Sequence, residues 1–231
     1  MIQAHNLTKR YGSHLALNNL NLKINPGEIC CLLGQNGAGK STTINLFLGF
    51  IEPTSGNTII NGINVQEHPQ ESKNHLAYIP ETVMLYPNLT GIENLEYFSS
   101  LAGYNYSKAE LIGFLLKTGL QEEAHNKRLG GYSKGMRQKV GIAIALSKQA
   151  KALFLDEPTS GLDPKASNEF TSIIRQLSDA GTAILMATHD IFRAKQVADS
   201  IGILRSGDFV SQLKAEDISA NELEELYLKT V

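Results

Sequence analysis

Eight residues, Gly34-Gln35-Asn36-Gly37-Ala38-Gly39-Lys40-Ser41, have the types and spacing of a loop that grips phosphate. Glycines at 34, 37 and 39 let the backbone curl until successive N–H groups point inward toward an anion. The expected triphosphate contacts are therefore Gly34, Asn36, Gly37, Ala38, Gly39, Lys40, Ser41 and Thr42. Lys40 would lie along the β- and γ-phosphates, and the Ser41 hydroxyl would be a ligand of Mg2+. A second cluster, ALFLDEP, ends an apolar run in two acids, an expensive arrangement unless a cation or a reacting water uses them. Asp156 would hold the metal, and Glu157 would serve as general base or water-positioner at the γ-phosphorus. Taken alone, the first cluster could be an ordinary Gly-rich turn and the second a helix-capping acid. Their joint presence favours phosphate chemistry.

Such groups need a rigid frame. The phosphate loop follows the apolar run EICCLL and precedes Ile44, Phe47 and Leu48 at helical spacing, the strand–loop–helix context the chemistry requires. Up to about residue 65, short β-like runs (LALNNLNLKI, EICCLL, NTIINGINV) predict a sheet-rich lobe. Residues 90–147 read as mostly helical, with Thr90 to Glu93 and Ser107 to Glu110 matching capping boxes. ALFLD and TAILMAT are continuous apolar runs, as in parallel strands covered on both faces. Between them Asp163 and Pro164 predict an N-cap and first turn, with Phe170, Ile173, Ile174 and Leu177 on one apolar face. Arg205-Ser206-Gly207-Asp208 predicts a hairpin turn, and Ser219 to Glu222 caps a last helix.

At 231 residues, 42% hydrophobic and 19% charged, the chain is expected to be one folded catalytic unit. A net charge of −2 leaves no global positive field for nucleic acid, so a phosphate site must be local. No apolar stretch approaches a membrane span, and the start MIQAHNLTKRYG lacks a signal pattern, so the expectation is a cytosolic chain. Adjacent Cys30 and Cys31 read as reduced core residues.

With these residues in hand, the chain resembles the ATP-binding-cassette family over nearly its whole length. Tyr11 in KRYG matches the aromatic that stacks on adenine. YSKGMRQ, Tyr132 to Gln138, is similar to the signature sequence, with Ser133 and Gly135 at the positions that approach a γ-phosphate. Ser160-Gly161-Leu162-Asp163 resembles the D-loop, and His189 in ATHD the switch histidine. The family's usual Gln in the loop joining the lobes is Glu81 here, a carboxylate that can still reach Mg2+. Lys134 and Met136 stand where the signature usually has Gly and Gln.

The resemblance implies an α/β P-loop NTPase with a mostly parallel sheet core, an N-terminal antiparallel β subdomain and an inserted α-helical subdomain. The catalytic lobe would span about 1–82 and 150–231, and the helical subdomain about 83–149. ATP and Mg2+ are the implied cofactors, with Glu157, His189 and Lys40 as the catalytic set, Tyr11, Ser133, Gly135 and Asp163 joining the nucleotide contacts, and Ser41, Asp156 and Glu81 the metal set. The implied function is an ATPase subunit that drives a membrane transporter of exporter type through a separate transmembrane permease, pairing with a second cassette copy and sitting on the cytoplasmic face. A soluble cassette without a membrane partner, in translation or DNA maintenance, is the alternative. An unrelated GTPase or small-molecule kinase is disfavoured, because the one Asn-Lys, at Asn126 and Lys127, continues Arg128-Leu129 and makes no guanine-reading motif.

Overall fold

The computed structural model describes residues 1–230. The chain opens with β1 (Ile2–Tyr11) and β2 (His14–Ile24), an antiparallel pair closed by a turn at Gly12 and Ser13. β3 (Ile29–Leu33) runs through the phosphate-loop sequence into α1 (Lys40–Phe47). β4 (Ser55–Ile60), the short β5 (Ile63–Asn64), α2 (Pro69–Lys73) and β6 (Leu76–Ile79) follow. Four helices then come without an intervening strand: α3 (Gly91–Leu101), α4 (Lys108–Lys117), α5 (Glu122–His125) and α6 (Lys134–Ser147). The last part alternates β7 (Ala152–Asp156), α7 (Pro164–Asp179), β8 (Ala183–Thr188), α8 (Ile191–Val197) and β9 (Ser200–Arg205). It ends in β10 (Asp208–Lys214) and α9 (Ala220–Thr230).

The strands join in the order β5-β4-β1-β2-β10-β9-β3-β8-β7-β6. Pairings among β9, β3, β8, β7 and β6 are parallel, whereas β1, β2, β4 and β5 pair antiparallel. Every residue of β3 and β8 is buried, which is why these strands read as unbroken apolar runs. Their side chains alternate between two cores. Cys30 and Leu32 join the cluster on the α1 face, where the Phe47 and Phe154 rings stack 5.4 Å apart. Ile29, Cys31 and Leu33 join the opposite cluster with Phe170, Ile174 and Leu177 of α7. The two thiols are thus free and buried on opposite faces, and burial pushes the Cys30 thiol up to about 12, leaving it inert. A third apolar cluster, including Ile92, Leu95, Leu111, Leu115 and Val140, lies among α3, α4 and α6.

The local signals form as expected. Thr90 accepts from Glu93 N–H while Glu93 accepts from Thr90 N–H, and Ser107 and Glu110 repeat the exchange. Asp163 caps α7 at Ala166 N–H with Pro164 in the first turn. Ser206 and Gly207, at φ +49° and +89°, make the β9–β10 turn. Among the described residues no helix is long and apolar enough to cross a membrane.

Candidate active site

Neighbouring parallel strands β3, β8 and β7 deliver their carboxyl ends to one place, handing over directly to Gly34, His189 and Glu157. A parallel sheet presents ligand-binding groups at this edge, because the strand-to-helix loops open there. The cavity at this edge measures about 360 Å3 and is lined by Tyr11, Asn36, Gly37, Gly39, Lys40, Ser41, Thr42, Glu81, Asp156 and Glu157. Gly34 and Ala38 complete the loop. Gly39 has φ +110°, and a side chain there would meet the Ala16 carbonyl at 2.7 Å, so only glycine lets the loop settle against β2. Gly39 also caps α1 without any side-chain oxygen, so the first N–H groups of the helix face the cavity uncapped, as an anion requires.

Lys40 is 6% exposed. Its ammonium donates to the Gly34 carbonyl at 2.5 Å and the Gln35 carbonyl at 3.2 Å, and stands 3.7 Å from Glu157 Oε1. Burial pulls its pKa below the ordinary lysine value, opposed by the charges of Glu157 and Asp156. Burial raises the Asp156 carboxyl, against the Ser41 hydroxyl beside it; Glu157 and Glu81 push it further up and Lys40 pulls it down. A part-buried carboxyl next to a hydroxyl and crowded by two other acids is a natural seat for a small dication, which would relieve the repulsion.

Glu157 is the most constrained group of the site. Its backbone is left-handed at φ +45°, rare for a residue with a side chain. Its N–H donates to the Ala187 carbonyl at 2.9 Å, and its carboxylate accepts from Thr188 Oγ1 at 3.1 Å and lies 2.9 Å from His189 Nδ1. Such strain concentrates where a functional group must be aimed. Tyr11, half exposed in the wall, has the Lys9 ammonium 4.9 Å from its ring centre.

Other expected residues have different partners or lie elsewhere. Glu81 borders the cavity, and its Oε1 accepts from Ser160 Oγ at 2.8 Å and lies 3.8 Å from Lys134 Nζ. Ser133 caps α6 at Met136 N–H, and with Gly135 it lines a separate, small cavity that shares no residue with the Lys40 cavity. Asp163 is occupied as a helix cap. Sequence reading missed His14, Ala16 and Gln35 in the cavity wall and Thr188 on the Glu157 carboxylate. His14 had a signal, since it faces Tyr11 across a two-residue turn.

Fold and site together define a P-loop nucleoside-triphosphate hydrolase. The profile of the ABC transporter family matches residues 17–160. The bacitracin transport ATP-binding protein BcrA of Enterococcus faecalis is 37% identical over 94% of this chain and 70% of that protein. A solved ATP-binding subunit of an ABC transporter superposes with a TM-score of 0.86 at 33% identity, covering 99% of this chain and 98% of the other. An ATP-binding cassette solved as a dimer in a post-hydrolysis state, bound to ADP and Pi, gives a TM-score of 0.82 at 27% identity, over 93% and 99% of the two chains. The chain belongs to the ABC transporter family, as an ATP-hydrolysing subunit that powers a membrane transporter.

Proposed function

We propose that this subunit drives export, with Lys40, Glu157 and His189 acting on ATP at the sheet edge and a separate permease moving the cargo. The observation that carries the hydrolytic part is the pairing of buried Lys40 with part-buried Glu157 among the carboxyl ends of β3, β7 and β8. Lys40 and the α1 N-terminus would hold the β- and γ-phosphates. Glu157, aimed by Thr188 and His189, would orient and deprotonate the attacking water. Bound with ATP, Mg2+ would neutralise developing charge on the phosphates, held by Ser41 and Asp156 with Glu81 as a further candidate oxygen. Tyr11 would offer its ring to adenine. The relative's role in bacitracin transport supports an outward direction, since removing a peptide antibiotic protects a cell.

The phosphate-binding role of Lys40 has a direct test. Lys40→Ala deletes a desolvated cation whose hydrogen bonds to phosphate are worth about 1.5–3 kcal/mol, so ATP affinity should fall about 10- to 100-fold. Equilibrium titration with a fluorescent ATP analogue measures this, and unchanged affinity would refute the role.

Docking to a permease is supported by the surface of the segment after Glu81. Met84 is 81% exposed, and Tyr86 and Tyr97 pack edge to face with centroids 5.1 Å apart and are both exposed. The segment is not loose, because buried Asn94 accepts from Tyr86 N–H at 2.9 Å and donates to the Tyr86 and Thr90 carbonyls. A pinned apolar and aromatic patch at the rim of the catalytic lobe suits a membrane subunit's cytoplasmic segment. The boundary we propose, with about 83–149 as the helical subdomain, puts this patch at the junction. It would place the protein on the cytoplasmic face. Affinity capture from detergent-solubilised membranes should bring down a polytopic protein, and Tyr86→Asp should reduce its recovery. Capture of the intact protein with no polytopic companion would favour the soluble alternative.

A further inference from the structure

The left-handed backbone of Glu157 needs something to hold it, and the residue after it makes the need greater. Pro158 biases its predecessor toward extended backbone, yet Glu157 sits at φ +45°. Upstream, the bond from Glu157 N–H to the Ala187 carbonyl anchors the turn to β8. Downstream, the Glu157 carbonyl accepts from Ser160 N–H at 3.1 Å, and Pro158, having no N–H, has only its carbonyl to offer. That carbonyl accepts from Nε2 of Gln138, a residue of α6 that is 1% exposed. Among the described residues, Gln138 Oε1 has no hydrogen-bond partner. A buried amide with one end orphaned costs stability, so an apolar residue of the same size would be the better choice for packing alone.

We propose that Gln138 is a positioning residue of the ATPase, clamping the Pro158 carbonyl so that the Glu157 carboxylate stays aimed beside Lys40 and His189. The clamp links the helix that begins at Ser133 to the base at the end of β7, so a shift of α6 against the sheet is passed to Glu157. The inference rests on the reading of Glu157 as the base. It concerns aim only: Gln138 is not among the residues that line the Lys40 cavity.

The test compares Gln138→Leu, which keeps size and removes both polar ends, with Glu157→Gln and with the double variant. Turnover at saturating ATP is measured together with equilibrium ATP affinity. For Gln138→Leu, kcat should fall on the order of 10- to 100-fold, the effect of a small misplacement of a reacting group, with ATP affinity within about threefold of wild type. In the Glu157→Gln background the same change should alter residual turnover by less than about twofold, because the group it aims is already gone. Gln138→Met is read in place of the leucine variant if that one does not fold. Turnover within about twofold of wild type, an equal proportional loss in both backgrounds, or a loss of affinity matching the loss of kcat would each overturn the proposal. If Glu157→Gln itself stays active, the base reading fails first; if it is inactive while Gln138→Leu turns over normally, only the clamp fails.

Discussion

Glu157→Gln is expected to bind ATP at least as tightly as the wild type while hydrolysing it about 10²–10⁴-fold more slowly. The amide keeps the shape of the side chain and can still accept from Thr188 Oγ1, so the left-handed turn should persist. What it loses is basicity and charge. Without a carboxylate at position 157 no group takes the proton from water in the same place, because the Asp156 carboxyl is engaged by the Ser41 hydroxyl. Removing the negative charge 3.7 Å from Lys40 also removes a competitor for the ammonium and a repulsion toward the triphosphate, which is why affinity should hold or improve. Single-turnover hydrolysis and equilibrium binding on the same preparation separate the two quantities. Turnover within a few-fold of wild type would dismiss Glu157 as the base.

The phosphate loop was legible in the sequence because its physics is local: glycines permit the curl, a lysine and a serine follow at fixed spacing, and apolar runs flank them. The capping boxes at Thr90 and Ser107, the Asp163-Pro164 helix start and the Ser206-Gly207 turn were legible for the same reason, since partners three residues apart decide them. What stayed hidden was decided by distant parts of the chain. β1 is not among the runs that alternation picks out, because register shifts and a left-handed Asn6 at φ +47° break its pattern. β6 has only four residues and is held by its parallel pairing with β7, more than seventy positions away. No local rule places a glutamate in the left-handed region before a proline, so the backbone of Glu157 could not be read. Nor could the bonds from Thr188 and Gln138 to that segment, or the turning of Glu81 toward Ser160 and Lys134, which only the folded neighbourhood shows.

The separation of Ser133 and Gly135 from the Lys40 cavity leads to the other large effect expected, which concerns assembly. We infer that two copies pair head to tail, each offering the N-terminus of its α6 to the γ-phosphate held by Lys40 of the other. Support comes from the 14-residue length of α6, whose aligned peptides favour an anion at the Ser133 end, and from the relative solved as a dimer with ADP and Pi. ATP would then be part of the interface, and ADP, lacking the γ-phosphate, would not complete it. Glu157→Gln with ATP should therefore scatter light as a particle of twice the 25.2 kDa of one chain, and with ADP as a monomer. Ser133→Asp separates this contact from folding. Aspartate caps a helix as well as serine does, so α6 and the thermal midpoint should be kept. Yet it sets a carboxylate against the γ-phosphate, so in the Glu157→Gln background it should abolish the ATP-dependent dimer while each chain still binds ATP through Lys40. A Ser133→Asp, Glu157→Gln protein that still doubles its mass with ATP would show that the α6 terminus does not meet the nucleotide of a second copy.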